Sequence, residues 1–190
     1  MSKLDRDKWD QRYAEGSQRK NNPVTLLQEW LPRLRVGKAL DVACGAGRNA
    51  IFLAREGFQV DAIDISPVGL ELARRQAERL DLEIDWIEQD LDRPFDFDTD
   101  YNLIVVLWYV NLPLIARLCD CLAPGGYLLC EEHLVTEREV IGPTDPRFRV
   151  APGALREAVA GLEIELYDES VVEDIAGEPL ASARVVARRR

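Results

Sequence analysis

Lys38-Ala39-Leu40-Asp41-Val42-Ala43-Cys44-Gly45-Ala46-Gly47-Arg48-Asn49 decides the fold of this 190-residue chain. A short apolar run ends on a carboxylate, breaks into a loop of small residues and opens onto Ala50-Ile51-Phe52-Leu53-Ala54. The pattern predicts strand, tight turn and helix, which aims the free N–H groups of a helix start at a ligand. Glycines 45 and 47 let the main chain approach closely and take φ values that a Cβ disfavours. Gly45 to Ala50 fits G-x-G-x-x-G/A, a pattern of nucleotide-binding units that is weak on its own. Ligand cradle and mere strand–helix packing turn are both open at this point.

Toward the N-terminus, residues 4–14 read as a helix closed by Glu15-Gly16, with Trp9 and Tyr13 four apart on one face. The aromatic pair either pins that helix to the domain or lids a ligand cleft. Ser17 to Asn22 reads as a polar, mobile link, and Pro23 opens a helix with Leu27, Trp30, Leu31 and Leu34 on one stripe.

Toward the C-terminus, Ala50, Leu53 and Ala54 give a helix face that Gly57 ends. Residues 58–64 alternate and finish on Asp64, and Ser66-Pro67 supplies an N-cap and a first-turn proline. The helix that follows turns Leu70, Ala73, Ala77 and Leu80 inward; residues 82–88 are a third strand. Residues 101–108 are almost wholly apolar, as a strand covered on both faces reads. A helix with Ile115, Leu118, Cys119 and Leu122, a turn at Pro124-Gly125-Gly126 and a fifth strand over 127–133 come next. Residues 136–150 are a loop, and Pro152 opens a helix with Leu155, Ala158, Val159 and Leu162. Strands near 162–168 and 181–188 have no helical pattern between them and pair antiparallel.

The fold expected is therefore α/β: a doubly wound, mostly parallel, seven-stranded Rossmann-like sheet with a terminal antiparallel strand pair. It forms one domain over 1–190, with 1–36 a helical cap on a core of 37–190. Ligands of such sheets bind at the carboxyl ends of the strands, near the switch in strand order.

A net charge of −10 argues against nucleic acid as the partner. From Asp81 to Asp100 the acid is concentrated, with Arg93 the one base, and the Arg188-Arg189-Arg190 tail reads as a solvated end. No apolar run approaches the ~20 residues of a membrane span, and the polar start carries no signal region. A cytoplasmic location is expected, with the four cysteines as free thiols. Cys119 and Cys121, two apart on a helix, point apart, so no metal site is expected.

Four strand ends carry polar or aromatic groups: Asp41 with its glycine loop, Asp64, Asp90, and Trp108-Tyr109. A parallel sheet brings them to one edge. Asp64 lies 19 residues beyond Gly45, the offset of a ribose-binding carboxylate in nucleoside sites.

Together these motifs resemble the class I S-adenosylmethionine-dependent methyltransferases. Leu40 to Gly47 is similar to their acidic, glycine-rich first motif, with Ala43 where glycine is usual. Val60 to Ser66 resembles the ribose element, Gln89-Asp90-Leu91 the adenine element, and Leu122 to Tyr127 the turn before the fifth strand. The ends of the chain, Lys8 to Tyr13 and Phe148 to Glu169, resemble the tellurite-resistance branch and its small-molecule relatives.

The resemblance implies S-adenosyl-L-methionine as cofactor and a small-molecule acceptor such as tellurite, selenite or a thiol. It implies that Asp41 orients the methionine ammonium, beside Tyr13, Ala43, Gly45, Gly47 and Asn49. Asp64 would take the ribose hydroxyls and Asp90 the adenine amine, with Ile65 and Leu91 around the ring and Leu107 and Trp108 beside the methionine. A phosphate-free cation suits an acidic loop, whereas a pyrophosphate would meet Asp41 as a like charge. Methyl transfer is an in-line displacement that depends mainly on alignment.

His133, the one histidine, and Tyr109 are the candidate catalytic residues; Trp9, Arg147 and Arg149 are candidates for the acceptor. Each has a plainer reading, as strand-end histidine, rim aromatic or solvated loop charge. Two other functions stay open: a silent cofactor-binding regulator, and an NAD-dependent oxidoreductase. Oligomeric state is open.

Overall fold

The computed structural model describes residues 3–16, 22–173 and 177–190. It contains helix α1 (Lys3–Ala14), helix α2 (Thr25–Trp30), β1 (Lys38–Val42), α3 (Arg48–Arg55), β2 (Gln59–Asp64) and α4 (Pro67–Glu78). There follow β3 (Asp85–Glu88), β4 (Tyr101–Leu107), α5 (Leu112–Leu118), β5 (Leu122–His133), α6 (Ala154–Ala158), β6 (Glu163–Glu173) and β7 (Pro179–Arg188). One seven-stranded sheet has the order β3-β2-β1-β4-β5-β7-β6. β1 pairs in parallel with both β2 and β4, so the strand order reverses beside it. That is the crevice in which doubly wound sheets hold ligands.

Strand alternation builds two cores. One face of the sheet presents Ala39, Ala62, Leu103, Val105, Leu129 and Val186 to Leu26, Leu27 and Trp30 of α2 and to Ala50 and Leu53 of α3. The other presents Leu40, Val42, Ile104, Val106, Leu128 and Cys130 to Leu114, Ile115, Leu118 and Leu155. Burial on both sides explains the continuous apolar run of β4. The expected sheet and its antiparallel end are both present: β7 runs antiparallel to β5 and to β6.

Several details differ from the sequence reading. α2 starts at Thr25, with a 3-10 turn over Leu31–Arg33, so Leu34 lies beyond the helix. β3 is only Asp85–Glu88, and Leu80, expected inward, is 45% exposed because α4 ends at Glu78. Leu122 belongs to β5, which begins before Pro124 and accommodates the glycines as an irregularity in its pairing with β4. α6 is shorter than the pattern suggests. The final hairpin is longer, over Glu163–Glu173 and Pro179–Arg188. The tail is not a free end: Arg189 donates to the carbonyls of Asp120 and Leu122, and the Arg188 guanidinium lies 5.8 Å from the Tyr127 ring. The link expected at 17–22 lies outside the described residues apart from Asn22.

α1 lies across the reactive edge. Ser66 donates to Asp10, Arg6 pairs with Glu88 at 2.6 Å, and Lys8 stands 5.4 Å from the Phe148 ring. The helix thereby bridges the start of α4, the end of β3 and the turn at residues 146–148. All four cysteines are free. Among the described residues no cluster of His, Cys, Asp and Glu is arranged for a metal ion, and no helix is long and apolar enough to cross a membrane.

Candidate active site

β1 delivers Asp41 to the edge on the sheet face that α2 and α3 cover. The side chain is 1% exposed, and burial, opposed in part by an Ala50 N–H bond and the Arg48 charge, pushes its pKa up to about 7. Its Oδ2 atom has no hydrogen-bond partner. Arg48, in the first turn of α3, is half-buried and lies in the fields of Asp41, Glu131 and Tyr13, and its guanidinium makes no hydrogen bond or ion pair among the described residues. A buried carboxylate oxygen and a nearby guanidinium are together the complement of an α-amino acid, whose ammonium and carboxylate carry the opposite charges.

The loop between them is built on left-handed backbone: Ala43 at φ +55°, Gly45 at +58° and Gly47 at +78°. A Cβ on Gly45 would stand 2.4 Å from the Tyr13 hydroxyl. Gly45 also donates its N–H to Asp64 Oδ2 at 2.8 Å, and Ser66 N–H donates to Oδ1 at 2.8 Å. Each oxygen retains a second acceptor direction for a ribose hydroxyl. Burial raises the Asp64 pKa against those bonds. Gly47 serves differently. A Cβ there would stand 2.7 Å from both Ala73 and Trp86, so packing requires the glycine.

Tyr13 reaches this loop from α1, in ring contact with Trp9 at 5.9 Å, and burial and the Asp64 charge raise its phenol pKa. Trp9 is itself covered by Arg12, 5.0 Å from its ring. Ile65 and Leu91 are buried at 6% and 4%, Leu91 within the core. Asp90 accepts from Asp92 N–H at 3.1 Å and lies 3.4 Å from Arg93. Asn49 sits lower, its side-chain oxygen accepting Val24 N–H at 3.0 Å, so that atom joins α2 to α3 instead of facing the loop.

The ends of β4 and β5 continue the same edge of the sheet. Leu107 is buried, and Trp108 takes a left-handed conformation, φ +68°, with its N–H on the Glu131 carbonyl at 2.8 Å. Its ring lies 4.5 Å from that of His133. Tyr109 and Asn111 both direct side-chain donors at Asp92, at 3.4 and 3.2 Å. Glu131 and Glu132 are both buried, on opposite faces. Glu131 is pushed up to about 7 by burial, relieved by Arg184 and Arg48. The sequence singles out neither glutamate, because in a strand two adjacent carboxylates read as one buried and one solvated. Arg48 is likewise absent from the sequence reading although it stands inside the motif, where a cation directly after the glycines is the signal that points to it.

The two loop arginines are placed elsewhere. Arg147 is exposed and forks onto Asp145. Arg149 donates to the carbonyls of Leu134, Pro143 and Ile141 at 2.8, 2.8 and 3.4 Å, pinning its own loop. Both acceptor candidates are thus engaged within the chain, since spacing shows the cations and hides their partners.

Known proteins share this architecture. A family model described as "Methyltransferase domain" matches residues 39–126. A ubiquinone biosynthesis O-methyltransferase of Methylocella silvestris is 31% identical over 171 residues, covering 76% of this chain and 67% of its own. Other curated relatives are spanned less completely, 51% and 40% in two cases. TehB from Haemophilus influenzae superposes with a TM-score of 0.75 at 21% identity, over 95% of this chain and 67% of that one. The N-methyltransferase NodS of Bradyrhizobium japonicum, solved with S-adenosyl-L-homocysteine, gives 0.73 at 18% identity and 97% coverage of both chains.

Proposed function

Because the chain belongs to the class I S-adenosylmethionine-dependent methyltransferases, we propose that it methylates a small-molecule acceptor by direct in-line displacement. The observation that carries the residue assignment is the buried, unpartnered Oδ2 of Asp41 beside the Arg48 guanidinium. S-adenosylmethionine brings an ammonium, a carboxylate and a sulfonium, and supplies an electrophilic methyl group. Asp41 holds the ammonium and Arg48 the carboxylate. Gly45 leaves room for the chain, Asp64 binds the ribose, Asp90 takes the adenine amine, and Ile65 and Leu91 bound the ring. Tyr13 closes the loop from above, and Leu107 and Trp108 flank the methionine portion.

The Methylocella silvestris relative is named for O-methylation in ubiquinone biosynthesis, which supports a small molecule as acceptor here. Tellurite and selenite are the weaker choice, since Arg147 and Arg149 are committed to Asp145 and to backbone carbonyls. His133, its ring tilted against that of Trp108, and Trp9 remain candidates for acceptor contact.

Calorimetry with S-adenosylhomocysteine should give binding that Asp64→Ala abolishes while circular dichroism stays unchanged. NAD, whose pyrophosphate meets Asp41, should not bind; NAD binding without adenosylhomocysteine binding would overturn this reading. Labelled-methyl turnover on thiols, phenols, amines, selenite and tellurite tests catalysis: tight cofactor binding with no turnover on any of them would favour a silent regulator.

A further inference from the structure

Glu132 has no part in the cofactor assignment above. It lies two strand positions beyond Cys130, on the face that α5 and α6 cover, and is 0% exposed. One carboxylate oxygen, Oε1, accepts the Tyr109 N–H at 3.0 Å. That donor belongs to the turn leaving β4, which the left-handed Trp108 aims back at β5. Non-glycine residues in such conformations cluster at functional sites, where surrounding contacts hold the strain. The other oxygen, Oε2, is buried with no partner. A buried carboxylate oxygen left in this way requires an explanation, because desolvation is costly without a donor.

The groups acting on Glu132 are Glu131 and Cys130 on its own strand and the Tyr109 N–H beyond β4; the Tyr109 phenol in turn feels Glu132, Asp90 and Asp64. None is a cation. Of the cations on this side, Arg184 pairs with Asp168 at 2.7 Å, Arg149 holds carbonyls and Arg147 holds Asp145, while Arg48, which lies in the field of Glu131, is assigned above to the cofactor carboxylate. Glu132 thus presents an acceptor for a hydrogen-bond donor at this end of β5.

We propose that Glu132 is the acceptor-side carboxylate, and that the methyl acceptor is a nucleophile arriving with its proton, an amine or a hydroxyl, which donates to Oε2. This rests on the methyltransferase reading. In the transfer, the nitrogen or oxygen forms a bond to the methyl carbon and the sulfonium C–S bond breaks with its electron pair kept by sulfur. The proton leaves the nucleophile for Oε2. Burial raises the pKa of Glu132 well above that of a free glutamate, which makes it a stronger base than a solvated carboxylate.

The test compares the full chain with Glu132→Gln, in which the amide oxygen can still accept the Tyr109 N–H. Each is loaded with S-adenosylhomocysteine and titrated with benzylamine, catechol and selenite, and turnover is measured with labelled S-adenosylmethionine across pH. The wild type should bind benzylamine or catechol and not selenite, with kcat/KM falling on the acid side. The variant should keep its melting temperature and bind adenosylhomocysteine within twofold of the wild type. It should lose at least tenfold in amine or catechol binding, about 10²–10⁴-fold in turnover, and the acid limb of the profile. Selenite as the sole ligand, no binding of any probe by the wild type, or a variant that binds and turns over like the wild type would each overturn the proposal. Failure of adenosylhomocysteine to bind the wild type would instead overturn the methyltransferase reading beneath it.

Discussion

Asp41 joins function to instability in one residue. Its pKa of about 7 in the folded chain, against 3.8 ordinarily, means that the folded state holds a proton that the unfolded state has released. Through Asp41, stability is therefore greatest below pH 4, falls as pH rises to about 7, and above that is lower by at most roughly 4 kcal/mol. Asp41→Asn should melt higher than the wild type at pH 8, and the gap should close toward pH 4 in calorimetric scans. The same variant should bind adenosylhomocysteine at least tenfold more weakly. For the wild type, affinity should rise with pH up to about 7, as the carboxylate becomes charged to meet the ammonium. Ala43 is a second compromise, an alanine in left-handed backbone at a cost of about 1 kcal/mol relative to glycine. The sequence showed both residues in their motif. It could not show that Asp41 Oδ2 is left without a partner, since that depends on which neighbours the fold brings to it.

At the scale of elements, the 134–149 segment illustrates the difference between a charge and its use. A loop with Arg147 and Arg149 offers two candidates for the acceptor, yet Arg149 donates to three backbone carbonyls of its own segment. Arg149→Ala should destabilise the protein by roughly 2–3 kcal/mol and raise amide exchange across 134–149, with adenosylhomocysteine affinity unchanged. An arginine that bound substrate would instead leave the melting temperature alone and raise the acceptor KM. α1 shows the opposite outcome. Its Trp9–Tyr13 spacing allows either a pin or a lid, and the contacts present pin it: Asp10 and Arg6 anchor the helix and Tyr13 packs on Gly45.

Across the whole molecule, the sheet gathers residues from 41 to 133 at one edge, so ligand binding and global stability are linked. Adenosylhomocysteine at 100 times its Kd should add about 2.7 kcal/mol, which for a chain of this size raises the melting temperature by about 5–10 °C. NAD at the same concentration should leave it unmoved. A differential scanning experiment reads both.

By itself the sequence determined the alternation of strands and helices, the antiparallel end, the glycine loop and the order of carboxylates at strand ends. These are local: periodicity, caps and turn chemistry act within a few residues. Only the tertiary structure decided what each charge meets. It committed Arg149 and Asn49 to the chain itself, packed Gly47 against Ala73 and Trp86, and left one oxygen each of Asp41 and Glu132 without a partner. Those outcomes depend on desolvation and on neighbours distant in sequence, which one-dimensional spacing does not encode. The motif that opened onto a generic nucleotide loop became specific when Asp41 proved buried, with one oxygen left without a partner and the Arg48 charge acting on it.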